Sequence, residues 1–155
     1  NFENVADDEI LGNRKKFDLA DFTPFHFFCP TPFAGAAQKA NDKKDFVYIT
    51  IKRGLAPENQ FKIVPSHPLN YDNEPLDWTK GIEEINWELM SKRDYRDHDC
   101  KESCMAEALF EGDIPAKFFF CLYVKTDKIK EKVVSLLEDN NLDINVNVNK
   151  YFFIR

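Results

Sequence analysis

Residues 105–110 read Met-Ala-Glu-Ala-Leu-Phe, so one carboxylate, Glu107, interrupts an apolar run. The run is short enough to form a strand or one helical turn. In a strand, Glu107 shares a face with Met105 and Leu109, because side chains alternate between the two faces. That face is either a core or a cleft, and a buried carboxylate there needs a partner. A glutamate facing water from an edge strand is equally compatible with the spacing.

Further strands are predicted where β-branched and aromatic residues cluster between turn residues. They cover residues 46–52, 61–64, 118–125, 144–148 and 151–154, with loop over most of 56–75. Prolines exclude a helix over residues 22–33, which we expect to be extended with aromatic side chains on both faces. Strict alternation of strands and helices is absent, which predicts an α+β fold with antiparallel sheets.

Helices are expected as connectors between these strands. A short polar helix or turn is predicted over residues 5–16, and a second helix over 78–90 from apolar residues at helical spacing. A third begins after Thr126, which can cap it, and runs to about Asn140. The residues predicted on its inner face are Ile129, Val133, Leu136 and Leu137.

The composition indicates one domain over residues 1–155. The formal net charge is −6, so a nucleic-acid partner requires a local basic patch. The four cysteines form no dense disulfide framework and no leader-like segment is visible, so we expect a cytoplasmic protein. No apolar run approaches the roughly 20 residues of a membrane helix, so no membrane partner is expected.

Two clusters leave alternatives open. His98, Cys100 and Cys104 could bind zinc in a zinc-stabilised interaction domain, but zinc usually takes a fourth ligand. Free thiols in a mobile loop are the favoured interpretation, and no metal is expected.

A basic cluster, made of Lys92, Arg93, Arg96 and Lys101, alternates with acidic residues. It is either a solvated loop of mixed charge or a segment that contacts a phosphate backbone.

Several segments resemble, in order, those of the DarT family of DNA ADP-ribosyltransferases. They are Arg14, Asp-Phe-Thr-Pro-Phe-His-Phe at 21–27, Leu-Asp-Trp at 76–78 with Trp87, Met-Ala-Glu-Ala-Leu at 105–109, Asp-Ile-Pro at 113–115 and Lys-Tyr-Phe-Phe at 150–153. The resemblance spans nearly the whole chain. It differs at Pro-Thr-Pro, residues 30–32, where the family has Arg-Ser-Pro, and in the lack of a match to the family's N-terminal strand with a His-x-Thr-His motif.

This resemblance implies an ADP-ribosyltransferase fold, in which two small antiparallel sheets flank an NAD cleft. It also implies a toxin that transfers ADP-ribose from NAD to a base in single-stranded DNA and is paired with a macrodomain antitoxin. NAD is then a substrate. Carried onto this chain, Glu107 and Arg14 are the catalytic residues, with Arg14 also holding NAD.

The same resemblance implies that Phe25 and His26 line the NAD cleft and that Arg96 and Lys101 contact DNA. The alternative is a non-catalytic or truncated relative that binds nucleic acid or a protein partner.

Overall fold

The computed structural model describes Gly12, Leu19 and residues 21–154. The strands β1 to β7 are Phe22–His26, Val47–Ile51, Lys62–Val64, Leu76–Asp77, Glu107–Glu111, Phe119–Val124 and Asn145–Val148. The helices α1 to α6 are Pro32–Ala40, Leu55–Glu58, Trp78–Glu84, Trp87–Lys92, His98–Ser103 and Asp127–Asp139. Two 3-10 turns, Ala116–Phe118 and Lys150–Phe152, complete the elements. The helix predicted over residues 5–16 lies outside the described residues, apart from Gly12.

The strands form two sheets, which confirms the predicted α+β class. The first has the order β1-β5-β3-β4 and is antiparallel throughout. The second has the order β2-β6-β7, in which β2 pairs antiparallel with β6, whereas β6 and β7 run parallel. The prediction that both sheets are antiparallel is therefore wrong at this pair. The physical reason is α6, a crossover helix that returns the chain to the starting end of β6.

The first sheet packs on both faces. On one face, Ile63 and Ala108 belong to a large cluster with Phe61, Ile85 and Met90. On the other face, Val64 and Leu109 pack with Leu19. The two faces are therefore distinct environments, and the face on which a β5 side chain lies decides its surroundings.

The second sheet is covered on one face by α6. Leu122, Val124 and Val146 form the buried cluster, against which Ile129, Val133, Val134, Leu137 and Ile144 pack. Leu136 is 61% exposed, so its predicted place on the inner face is wrong. Val134 packs against the sheet instead. Residues 129, 133 and 137 form a stripe along one side of the helix, and residue 134 adjoins that stripe because it lies three positions before residue 137. Thr126 caps the helix through the Ile129 N–H, as predicted.

The region predicted as extended, residues 22–33, is extended only as far as His26. Helix α1 begins at Pro32, with the Thr31 side chain accepting a hydrogen bond from the Ala34 N–H at 3.1 Å. Proline is compatible with the first turn of a helix, because the N–H it lacks has no helical partner there. The prolines therefore mark the start of a helix that the sequence interpretation missed.

The helix predicted over residues 78–90 is two helices. Ile85 has an extended backbone (φ −66°, ψ 128°), and the Asn86 side chain caps α4 by accepting from the Leu89 N–H at 3.0 Å. The Trp87 indole donates to the Ile82 carbonyl at 2.9 Å, which fixes the corner between them. The spacing of apolar residues is continuous over residues 78–90, but the cap by Asn86 stabilises the break between the two helices.

The chain ends in a short turn after β7. Residues 150–152 form a 3-10 turn, so the strand predicted over 151–154 is wrong. In this turn the Tyr151 N–H donates to the Asn149 side chain. Among the residues with described positions, no helix has the length and apolarity needed to cross a membrane.

Candidate functional site around Glu107

Glu107 opens β5, the strand that lies between β1 and β3 in the first sheet. Its direct neighbours are His26 on β1 and Val64 on β3. The residue is 8% exposed, so this carboxylate lies within the fold rather than on an edge. A polar group removed from water in this way is retained where its surroundings compensate it. Of the two alternatives for residues 105–110, a strand or one helical turn, the structure has the strand, over Glu107–Glu111, and the edge-strand alternative is wrong.

Residues that pair directly across neighbouring strands present their side chains to the same face. Glu107, His26 and Val64 therefore share one face of the sheet, which we call the Glu107 face. Phe25 pairs with Ala108 and lies on the opposite face, where its ring is 5.9 Å from that of Phe61. The fold thus brings His26 beside Glu107 but places Phe25 in the main core.

The imidazole of His26 is partly buried beside Glu107. Its Nδ1 donates to the Ala106 carbonyl at 3.4 Å, and its ring lies 5.9 Å from that of Phe33. Burial lowers the pKa of His26 below its ordinary value, because the charged form loses hydration, although the hydrogen bond to Ala106 opposes this shift. The ring is accordingly neutral near pH 7 and can donate or accept a hydrogen bond without carrying a charge.

Of the remaining predicted site residues, the structure describes Arg96 and Lys101, which lie away from this face. Arg14 lies outside the described residues. Arg96 is 94% exposed at its side chain and pairs with Asp94 at 3.2 Å. Lys101 is exposed in the last turn of α5. Both cations therefore belong to the surface between α4 and β5, where a bound macromolecule can reach them.

The cysteines once weighed as zinc ligands are core residues. Cys100 and Cys104 are each 1% exposed, and their thiols donate to the carbonyls of Leu89 and Met90 at 3.1 and 3.6 Å. Burial raises the pKa of Cys104 to about 11, which keeps it a thiol. The expectation of free thiols is confirmed, but the expectation of a loop is wrong, because Cys100 lies in α5 and Cys104 is the C-cap residue of that helix. No group of three or more His, Cys, Asp or Glu side chains is arranged for a metal in the described part of the chain.

The sequence interpretation missed a set of arginines stacked on aromatic rings. The Arg53 guanidinium lies 5.6 Å from the Phe27 ring and 5.5 Å from the Trp87 ring, measured from Cζ to each centroid. That of Arg93 lies 4.4 Å from the Phe28 ring. No sequence spacing links residue 53 to residue 87, so only the tertiary structure reveals this arrangement.

Two open pockets in the described part of the chain do not include Glu107. One cavity of about 140 Å³ has Gln38, Lys125 and Phe153 in its wall, and one of about 450 Å³ has Asp127 and Tyr151. Both adjoin the second sheet and its flanking segments. The candidate site is defined by the positions of Glu107 and His26 on the first sheet.

Comparison with known proteins adds independent information. The family model "ssDNA thymidine ADP-ribosyltransferase, DarT" matches residues 1–154. No curated protein matches the chain. Among solved structures, Thermus sp. 2.9 DarT in complex with ADP-ribosylated ssDNA is similar with a TM-score of 0.81 and 14% identity, covering 98% of this chain and 81% of that one.

Two further solved structures have the same fold. Thermus sp. 2.9 DarT in complex with NAD+ gives a TM-score of 0.74 at 14% identity, covering 86% of this chain and 73% of that one. Thermosipho africanus DarTG in complex with ADP-ribose gives 0.75 at 18% identity, covering 98% and 42%. The family match over nearly the whole sequence and the shared fold lead to one conclusion: the chain belongs to the DarT family of ssDNA thymidine ADP-ribosyltransferases.

Proposed function

We propose that Glu107 is the acidic catalyst with which this chain transfers ADP-ribose from NAD+ to thymidine in single-stranded DNA. The observation that carries the proposal is the position of this carboxylate: 8% exposed, on a central strand, directly beside His26. A carboxylate in a partly dry setting acts strongly on a developing positive charge. The family to which the chain belongs carries out this reaction.

The reaction requires an anion close to the ribose. The bond between the ribose C1′ and the nicotinamide nitrogen breaks, its electron pair leaves with nicotinamide, and C1′ becomes electron-poor. Glu107 stabilises this charge. Thymine has a single ring N–H, because its other ring nitrogen carries the deoxyribose. The nitrogen of this N–H forms the new bond to C1′. The displaced proton passes to Glu107, so the carboxylate also serves as the general base.

The other site residues have supporting roles in this proposal. Neutral His26 lines the NAD side of the Glu107 face and supplies a hydrogen-bonding ring without adding positive charge. Phe25 packs behind the strand on Phe61, which favours a role in holding β1 against β5. Arg14 holds the NAD diphosphate or helps to activate the base nitrogen. Arg96 and Lys101 contact the DNA.

The proposal extends to the biological setting. The chain acts as a cytoplasmic toxin whose mark is removed by a macrodomain antitoxin. Supporting observations are the similarity to Thermosipho africanus DarTG in complex with ADP-ribose and the four free cysteines, which suit a reducing compartment. The cytoplasm also contains NAD+ and exposed single strands of replicating DNA.

The test compares Glu107→Gln with Glu111→Gln. Both residues are on β5, but Glu111 is exposed at its far end, so the second variant removes an equal charge away from the site. The protein is incubated with NAD+ and a thymidine-containing single-stranded oligonucleotide, and the mass gain of one ADP-ribose is followed. We expect the rate to fall at least about 100-fold for Glu107→Gln and to be unchanged for Glu111→Gln.

Two results would contradict this assignment. Labelling by Glu107→Gln at the wild-type rate would remove the residue from the chemistry. If the wild-type chain transfers no ADP-ribose but binds the oligonucleotide without NAD+, the chain is a binding module.

A further inference from the structure

The segment Phe27–Pro30 leaves β1 directly after His26, the cross-strand neighbour of Glu107. Consecutive Cα atoms are about 3.8 Å apart, so this segment lies within about 15 Å of His26 along the chain. Arg53, Arg93 and Tyr95 all contact it. We call these three side chains, with the rings of Phe27, Phe28 and Trp87, the arginine–aromatic surface.

Arg53 is held rigidly on this surface. Its guanidinium covers the rings of Phe27 and Trp87, which are themselves packed edge to face at 5.3 Å. One terminal nitrogen donates to the Phe27 carbonyl at 3.2 Å. A guanidinium has five N–H donors, so most of them are available to an oxygen-rich ligand. A stacked guanidinium with free edges matches the geometry of a phosphate.

Arg93 and Tyr95 also contact the segment Phe27–Pro30. Arg93 stacks on Phe28, and the Tyr95 hydroxyl donates to the Pro30 carbonyl at 3.1 Å while the side chain keeps 39% exposure. Arg93 ends α4 with a left-handed backbone, φ 51° and ψ 31°. Glycine or asparagine usually occupies such a position, so an arginine there is held at some cost in free energy.

The acidic residues that the structure describes near these two arginines have other partners. Asp94 pairs with Arg96 and Glu88 with Lys92. Asp97 accepts from the Cys100 N–H at 2.7 Å. Among the described residues, neither Arg53 nor Arg93 forms an ion pair. Two cations without an ion-pair partner among the described residues therefore lie beside Phe27–Pro30, on a chain whose net charge is −6.

We propose that the arginine–aromatic surface binds the single-stranded DNA that flanks the target thymidine. Arg53 and Arg93 contact phosphates, and the exposed ring of Tyr95 stacks on a base. The combination of fixed cations with an accessible aromatic ring is the usual composition of sites that bind single strands. This inference rests on the proposed function, because the bound strand has to reach Glu107 from this surface. The rings of the surface pack against the main cluster, on the opposite face of the first sheet from Glu107, and the surface adjoins the site at the end of β1 that carries His26. The inference assigns the main phosphate contacts to Arg53 and Arg93 rather than to the more exposed Arg96 and Lys101.

The test measures DNA binding apart from chemistry. The dissociation constant for a fluorescent single-stranded oligothymidine is determined without NAD+ at several salt concentrations, for Arg53→Gln, Arg93→Gln and Lys128→Gln. Lys128 is exposed on α6, over the second sheet, and is the charge-matched control. We expect each arginine variant to bind about five- to tenfold more weakly. The slope of log affinity against log salt should fall by about 0.7 for each phosphate contact removed.

Further variants separate DNA contact from folding. Arg53→Lys and Arg93→Lys keep the charge and should retain the wild-type salt slope, with their unfolding midpoints recorded in parallel. Tyr95→Ala should weaken binding and leave the slope unchanged, since it removes stacking only. If Arg53→Gln does not fold, Arg53→Met, which keeps the apolar stem over Trp87, replaces it.

Wild-type affinity and salt slope in both Arg53→Gln and Arg93→Gln would overturn the inference. This result is distinct from failure of the proposed function. If only the inference fails, the chain still transfers ADP-ribose, and the affinity for DNA is the same with and without the two arginines. If only the proposed function fails, the affinity for DNA falls in the arginine variants, although the wild-type chain transfers no ADP-ribose.

Discussion

At the scale of single residues, His26 couples the site to pH. Its folded-state pKa lies below the ordinary value of 6.5, chiefly because of burial. Below pH 6.5 the unfolded chain therefore binds more protons at this residue than the folded chain does. Above pH 6.5, His26 therefore does not reduce the free energy of unfolding. Below pH 6.5, the free energy of unfolding decreases as the pH falls, because the unfolded chain takes up the proton more readily.

The corresponding prediction compares the wild type with His26→Asn, whose amide can still donate toward Ala106. Between pH 7.5 and 5.5, urea unfolding should show a larger loss of stability for the wild type. The difference in slope is at most about 1.4 kcal/mol per pH unit, which corresponds to one proton. Parallel stability curves for the two proteins would mean that His26 titrates normally in the folded state.

At the scale of elements, helix α3 approaches strand β3 at Gly81. A Cβ atom built on Gly81 would lie 2.2 Å from the Cβ of Ile63, whose side chain is fully buried. Real Cβ atoms do not approach so closely, so either the helix or the strand must shift. Since β3 pairs with β5 at Val64 and Glu107, a shift of β3 is transmitted to the site.

Gly81→Ala should therefore lower the free energy of unfolding by about 1–3 kcal/mol or more, through overpacking. Gly35→Ala is the matched control, because it also lies in a helix and its added Cβ meets nothing within 4 Å. That change should stabilise the protein by up to about 1 kcal/mol, as alanine favours helix over glycine. Denaturant unfolding of both variants measures this contrast, and equal effects of the two substitutions would refute the packing argument.

At the scale of the whole molecule, Gln38 ties together parts that are distant in sequence. Its amide nitrogen donates to the Tyr48 hydroxyl at 2.9 Å on β2, and its oxygen accepts from the Ile154 N–H at 3.0 Å. The residue is 4% exposed on α1. The Tyr48 ring in turn packs at 5.1 Å from that of Phe153, so one side chain links α1, the second sheet and the final segment.

Gln38→Leu should cost about 1–3 kcal/mol, because it leaves the Tyr48 hydroxyl and the Ile154 N–H without these partners inside the fold. Lys39→Ala, one residue further along the exposed side of α1, should change stability by less than about 0.5 kcal/mol. Chemical denaturation compares the two variants. If Gln38→Leu unfolds at the wild-type denaturant midpoint, the link contributes nothing measurable to the whole.

Local chemistry explains why some elements could be predicted from the sequence. The strand Val47–Ile51 and the capped helix Asp127–Asp139 were found because apolar period and capping residues act within a few positions of each other. The missed start of α1 at Pro32 and the break at Ile85 have local causes that compete with stronger signals. A proline is compatible with an extended segment or with the start of a helix, and a continuous apolar stripe is compatible with one helix or two. The packing of neighbouring elements decides between them.

The sequence alone determined the α+β class and the family resemblance, since both depend on the order and spacing of residues, and it left a strand or a helical turn open at Glu107. Only the tertiary structure decided what surrounds Glu107. It buried the carboxylate beside His26, turned Phe25 to the opposite face and stacked Arg53 on Trp87. The physical reason is that strand pairing and burial join residues that are far apart in the chain, and no local pattern records which of them meet.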